Sequence, residues 1–192
     1  RAAALPNLCP HFHLSMQSGC DSVLARMNRK YDSERYYESV KLLNEAYETP
    51  GITTDLIVGF PGETEEEFQQ TLAFIRRCAF SAMHIFPYSR RPGTPADGMP
   101  GQILNSVKEE RAHRAQQAAL EMEAAYLDRW VGRTVPVLFE KERDGLWRGH
   151  TTRYSEVAAP SGENLHNQLR QVYITGRAGN TLQGELCEGQ EK

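Results

Sequence analysis

Around Trp130 the chain changes its hydrophobic period, and that change constrains the fold more than any other feature of the 192 residues. Upstream, short apolar or β-branched runs alternate with stretches of helical spacing. Downstream, short strand-like runs follow one another between polar, glycine-containing turns. Alternating strand and helix is the pattern of a parallel α/β layer, whereas closely spaced short strands close into a small β-barrel. The sequence therefore predicts an α/β chain: part of a parallel β/α barrel, followed by a small all-β barrel of OB-like type.

The upstream elements can be placed from local signals. A strand is expected from His11 to Gln17, with Phe12, Leu14 and Met16 on one face and His13, Ser15 and Gln17 on the other. A helix from Ser22 to Arg29 follows, with Asp21 as its cap, and a second runs from Glu34 to Glu48. Pro50-Gly51 breaks that helix before ITTDLIVG, a buried parallel strand over Ile52 to Gly59. FPGET turns into a helix from Glu65 to Cys78, for which Thr64 and Glu67 have capping-box spacing. A third strand, Met83 to Tyr88, a long loop and a helix from Ile103 to Val131 complete this half. Three strands are too few to close a barrel, so this half reads as a truncated domain. The strands expected downstream are Thr134 to Glu140, Trp147 to Thr152, Glu156 to Ala158, Gln171 to Ile174 and Thr181 to Leu186, all antiparallel.

Composition excludes several classes. No apolar run approaches the roughly 20 residues that span a bilayer, and the first residues lack the layout of a signal peptide, so a cytoplasmic protein without a membrane partner is expected. A net charge of -3 argues against a broad electrostatic coat for nucleic acid and leaves only local basic patches. The four cysteines form neither a CxxC pair nor a disulfide framework.

Five groups of residues could carry chemistry. His13, Ser15, Gln17 and Ser18 put polar groups on and beyond a strand that should be apolar on both sides, at the strand end where α/β barrels place active sites. They are pocket residues, satisfied core polar groups, or, for His11 and His13, half of a metal site. Gly59, Phe60 and Pro61 sit in a strand-to-helix turn that allows close backbone approach. The carboxylates at Glu63, Glu65, Glu66 and Glu67 would repel a phosphate there and suit a neutral or cationic ligand. Asp55, a carboxylate in an apolar strand, needs a ligand or a neighbouring group as partner. Arg29, Arg90 and Arg91, with Tyr88, offer basic and aromatic contacts for RNA. In the downstream half, where acidic and basic residues balance, Trp147, Arg148, Arg153 and Tyr154 are the best single-strand-binding cluster, although Trp147 reads equally well as core.

CPHFHLSMQSGCDSVLARMNRKY, TTDLIVGFPGETEEEF and MHIFPYSRRPGTPA, in that order, resemble the methylthiotransferase branch of the radical S-adenosylmethionine enzymes, and VGRTVPVLFE through LQGEL resembles the RNA-binding TRAM barrel of that family. The resemblance implies a TIM-like radical-SAM barrel of which residues 1–100 are the C-terminal part, a connecting helix over 101–131, a TRAM-like barrel over 132–187 and a tail over 188–192. It implies an enzyme that, when intact, cleaves S-adenosylmethionine reductively, abstracts hydrogen at C2 of N6-threonylcarbamoyladenosine 37 of tRNA, and inserts a methylthio group. A [4Fe–4S] cluster on a CxxxCxxC loop, a second cluster and an electron donor belong to such an enzyme; the loop is absent from this sequence, so the chain alone is expected to be inactive. By the resemblance, His13, Ser15, Gln17, Ser18, Gly59, Phe60 and Pro61 line the S-adenosylmethionine pocket, and the loop from Tyr88 to Thr94, with Arg90 and Arg91, faces the substrate; Asp55 joins the pocket candidates, and Arg29, Arg148 and Arg153 the RNA candidates, on their residue type and placement. A methylthiotransferase acting on a ribosomal-protein aspartate, or an inactive RNA-binding module, are the alternatives.

Overall fold

A computed structural model describes residue 5 and residues 7–187. The expected tail over 188–192 lies outside the described residues. The chain divides into two compact units, Phe12–Met122 and the combination of Arg1–His11 with Glu123–Lys192.

The first unit is built on a three-stranded sheet in the order β1 (His11–His13), β2 (Gly51–Val58), β3 (Ala82–Pro87). β2 and β3 run parallel, with Thr53 opposite Ala82 and Val58 opposite Pro87. The first strand is shorter than its alternation predicts. Beyond His13 the Met16 amide donates to the Thr54 hydroxyl at 3.0 Å instead of to a backbone carbonyl, and Gln17 turns into the left-handed region at φ 70°. The chain still follows β2, through a parallel bridge between Gln17 and Leu56.

Helices α1 (Asp21–Arg26), α2 (Ser33–Ala46) and α3 (Glu65–Cys78) join these strands, and α4 (Asn105–Asp128) follows β3. Cys20, not Asp21, occupies the cap position of α1, and the Asp21 carboxylate accepts from the Ser33 amide at 2.7 Å. α1 stops three residues before the expected end because Asn28 adopts φ 56°, the left-handed geometry that terminates helices. The Thr64–Glu67 capping box of α3 forms in both directions. Met16, Leu56, Phe68, Ile75 and Phe80 have essentially no solvent exposure and centre the core, where α4 adds Ala115, Ala118 and Ala119. Each large side chain so buried contributes about 1.5–3 kcal/mol.

The second unit is a closed five-stranded barrel in the order β4 (Thr134–Arg143), β5 (Leu146–Thr151), β6 (Glu156–Ala159), β8 (Thr181–Leu186), β7 (Gln168–Ala178). It is not wholly antiparallel: β6 and β8 pair in parallel. β7 is much longer than its apolar core predicts, since pairing with both β4 and β8 holds its polar ends extended. Gly149 fits a crossing that no side chain could enter, because an added Cβ would lie 2.2 Å from the Leu138 carbonyl, beside a register shift between Phe139 and Lys141. Trp147, Phe139, Val172, Ile174 and Leu182 fill the barrel with Trp130, so Trp147 is a core residue.

Candidate functional site

Parallel strands leave their unpaired C-terminal ends on one side of a sheet, where loops can close a crevice. Here that crevice is a cavity of about 550 Å³ lined by Gln17, Asp55, Ile57, Phe86, Tyr88 and Arg91 among others. Its volume falls in the range of small-molecule sites. Ile57 and Phe86 supply apolar wall, Asp55 and Gln17 a carboxylate and an amide, and Arg91 a cation.

Asp55 sits at the centre of a polar network. Its Oδ2 lies 3.2 Å from His13 Nε2, which also accepts from or donates to the Ser15 hydroxyl at 3.2 Å, while His13 Nδ1 meets the Thr53 hydroxyl at 3.1 Å. The strand carboxylate thus has the neighbouring partner its burial requires. His13 and Ser15 reach the cavity only through Asp55. Ser18 does not reach it. Fully buried, it accepts from the Cys20 amide at 3.2 Å and meets the Thr71 hydroxyl at 3.3 Å. Among the described residues no cluster of three metal-ligating side chains occurs, so His11 and His13 have no third ligand there.

The glycine turn is filled from within. Gly59 has φ 72°, and a Cβ added there would meet the Lys108 side chain at 2.4 Å. The close approach that glycine permits is therefore used by Lys108, whose Nζ donates to the Tyr88 carbonyl at 3.0 Å. Glu63 does not sit with the other carboxylates at the helix start. It turns inward at 2 % exposure, accepts from the Gly59 amide at 2.6 Å and pairs with Arg111 at 2.9 Å. Burial pushes its carboxyl above the ordinary value, against the pull of the Gly59 amide and Arg111. Gly59, Phe60 and Pro61 are consequently buried, with Phe60 packed on Tyr88, and the structure does not bring them to the cavity wall.

The residues expected to face RNA separate into several places. Tyr88 and Arg91 line the cavity, and Arg90 is tied to Asp97 at 2.8 Å beside it. Arg29 is exposed past the end of α1. In the barrel unit, Arg148 pairs with Glu156 at 3.2 Å and Arg153 lies over the Trp130 ring at 4.6 Å. Lys108, Arg111 and Glu63 were not singled out as a buried set, because charged residues at helical spacing read as a solvated face; the spacing of Lys108 and Arg111 with Ala115, Ala118 and Ala119 on one stripe of α4 was the available signal for those two.

Residues 1–75 match the family model described as the Radical SAM superfamily. Over 96% of its length the chain is 38% identical to the tRNA-2-methylthio-N(6)-dimethylallyladenosine synthase of Maricaulis maris (strain MCS10), covering 41% of that protein. The protein of the same name from Oleidesulfovibrio alaskensis is 45% identical across 83% of the chain, with 34% of its own length covered. The threonylcarbamoyladenosine tRNA methylthiotransferase MtaB of Bacillus subtilis (strain 168) is 37% identical over 85% of the chain, which covers 38% of it. The chain thus spans about two fifths of the curated relatives it matches.

Proposed function

We propose that this chain, which is related in sequence to the radical S-adenosylmethionine tRNA methylthiotransferases, is the substrate-side part of an enzyme that adds a methylthio group at C2 of an N6-modified adenosine at position 37 of tRNA. The observation that carries this reading is the cavity at the C-terminal strand ends, in which a carboxylate, an amide, apolar wall and an arginine converge on a volume suited to one small molecule. The β1–β2–β3 sheet belongs, on this reading, to a larger parallel β/α barrel, and the five-stranded barrel is the OB-like TRAM module that holds tRNA.

The cavity fits S-adenosylmethionine in its chemistry. Asp55 offers a negative charge to a cationic ligand, Gln17 an amide for its polar edge, and Ile57 and Phe86 an apolar wall. Bound there, S-adenosylmethionine would supply the radical chemistry of the family. The residues of this chain bind and orient. His13, held by Thr53 and Ser15, fixes the rotamer of Asp55, and Phe60 against Tyr88 fixes the loop that closes the cavity. The four cysteines do not fit a [4Fe–4S] cluster. Cys20 and Cys78 are buried, Cys9 and Cys187 are exposed, and their sequence spacing is not that of a cluster loop. Cluster ligands and the contact with an electron donor belong to parts of the enzyme outside this chain.

Arg91 on the cavity wall favours threonylcarbamoyladenosine as substrate, because that nucleoside carries a carboxylate that a guanidinium can pair. The exposed Phe86 and the half-buried Ile57 beside it favour the second reading, an apolar dimethylallyl group, which also agrees with the names of two of the three relatives described above. Mass spectrometry of tRNA nucleosides from a strain lacking the gene decides between them. Loss of the 2-methylthio form of either nucleoside, with its precursor accumulating, supports the function and identifies the substrate. An unchanged nucleoside profile, in a strain with no second enzyme of this activity, overturns it.

A further inference from the structure

Gln17 brings its side chain to the cavity wall from a backbone at φ 70°. That left-handed geometry is uncommon for a residue with a Cβ and persists only where the surrounding structure enforces it. Here the enforcement comes from both sides. Downstream, Ser18 is fully buried and meets the Thr71 hydroxyl of α3 at 3.3 Å, and Gly19 lies so close to α3 that an added Cβ would stand 2.8 Å from Phe74 Cβ. The backbone of Gln17 is itself bonded to β2: its amide donates to the Asp55 carbonyl and its carbonyl accepts from the Ile57 amide, both at 2.9 Å.

Upstream, the constraint centres on one hydroxyl. Successive carbonyls of an extended strand point to opposite edges. The Ser15 and Met16 carbonyls instead both accept from the Tyr31 hydroxyl, each at 3.0 Å. Such convergence holds the chain out of strand geometry immediately before Gln17. Tyr31 lies between α1 and α2 and packs on the core beside Tyr36, with ring centroids 6.3 Å apart. The Tyr36 hydroxyl in turn donates to the Leu14 carbonyl at 2.6 Å. The product of all these bonds is a single displayed group. Among the described residues the half-buried side-chain amide of Gln17 has no hydrogen-bond partner, so both its donor and its acceptor face the cavity unmet.

We propose that Tyr31 is a positioning residue for the ligand of this cavity: its hydroxyl, bonded to two consecutive carbonyls, fixes the turn that presents the Gln17 amide to S-adenosylmethionine. This rests on the reading of the cavity as the S-adenosylmethionine site. It goes further in giving a role in binding to a residue outside the cavity lining.

The test is a double-mutant cycle on the intact, cluster-loaded enzyme, read by equilibrium dialysis with S-adenosylmethionine in the absence of reductant. Gln17→Gly deletes the amide and keeps a residue at ease in the left-handed region, and Tyr31→Phe deletes only the hydroxyl. Each single substitution raises the dissociation constant about 3- to 10-fold, the loss of roughly one hydrogen bond. In the Gln17→Gly background Tyr31→Phe adds at most about 1.5-fold, because its effect passes through the missing amide. Steady-state kinetics of Tyr31→Phe show the KM for S-adenosylmethionine raised and kcat unchanged, a split that a loss of folded enzyme does not produce. Hydrogen–deuterium exchange of the segment from Leu14 to Ser18, without ligand, is faster in Tyr31→Phe, while exchange of α3 is unaltered. A Tyr31→Phe enzyme that binds like the parent while Gln17→Gly binds weakly overturns the role of Tyr31 and leaves the cavity assignment standing. Equal weakening by Tyr31→Phe in both backgrounds makes the hydroxyl a general structural contact and overturns the proposal as well. Parent-like affinity in Gln17→Gly removes the ligand contact itself, and counts against the cavity as the S-adenosylmethionine site.

Discussion

Arg111 on α4 donates to both the backbone carbonyl and the Oε2 carboxylate oxygen of Glu63, at 3.0 and 2.9 Å, and both side chains are almost completely buried. The pair ties α4 to the turn between β2 and α3, next to the strand ends that form the cavity. Removing one partner of a buried ion pair leaves an uncompensated charge and costs about 3–5 kcal/mol, whereas replacing both is far milder. Arg111→Met should therefore destabilise the first unit by about that much, and the double variant Glu63→Gln with Arg111→Met by clearly less. Circular dichroism during urea denaturation is the measurement. Both tryptophans lie in the barrel unit and do not report on this one.

Glu67 provides a pH-dependent contribution. Hydrogen bonds from Arg26 hold its carboxyl at about 2, helped by Ser22 and by the Thr64 amide and opposed by burial, against an ordinary value of 4.5. A carboxylate with a depressed folded-state pKa stabilises fully above its unfolded value and loses that contribution as pH falls through the folded one. The stability difference between the parent chain and Glu67→Gln should be constant from pH 7 to about 5, at roughly 2 kcal/mol, and shrink between 4.5 and 2. Glu63, pushed upward by burial, acts in the opposite sense. Comparing the two chains at each pH isolates the Glu67 contribution.

The cysteines divide by environment. Burial pushes the Cys78 thiol up to about 12, and Cys20 is also enclosed, while Cys9 and Cys187 are exposed. A thiolate-specific reagent at pH 8 should modify Cys9 and Cys187 quickly and reach Cys20 and Cys78 only after denaturation. Peptide mapping of the labelled chain checks the assignment.

The alternation of strand and helix, the capping box at Thr64 and Glu67, and the change of pattern at Trp130 were legible because each depends on spacing within a few residues. The length of β7 was not, because pairing with two neighbours, not its own side chains, keeps Gln168 and Arg177 extended. Similarly, the early end of β1 follows from a hydroxyl on a residue far away in sequence, Thr54. Of the candidate site, Gln17, Asp55, Tyr88 and Arg91 come together on the cavity. Glycines at 59 and 62 signal a close approach without saying by what, and here the approaching group at Gly59 is Lys108. The Glu63–Arg111 pair was illegible for a related reason: a carboxylate in an acidic run reads as helix-dipole complement until the partner across the fold is known.

The proposed function makes the cavity carrying Asp55 the place that holds S-adenosylmethionine for methylthiolation of the tRNA nucleoside. Its most direct measurement is the 2-methylthio nucleoside content of tRNA in a strain lacking the gene, after the intact gene is returned with Asp55→Asn. The substitution keeps the size and hydrogen-bonding reach of the side chain beside His13 and removes only the charge offered to a cationic ligand. The variant protein should accumulate normally while the methylthio nucleoside falls at least about tenfold, the consequence of losing roughly 1.4 kcal/mol or more of charge-assisted binding. Methylthio nucleoside at the level restored by the unaltered gene would contradict it.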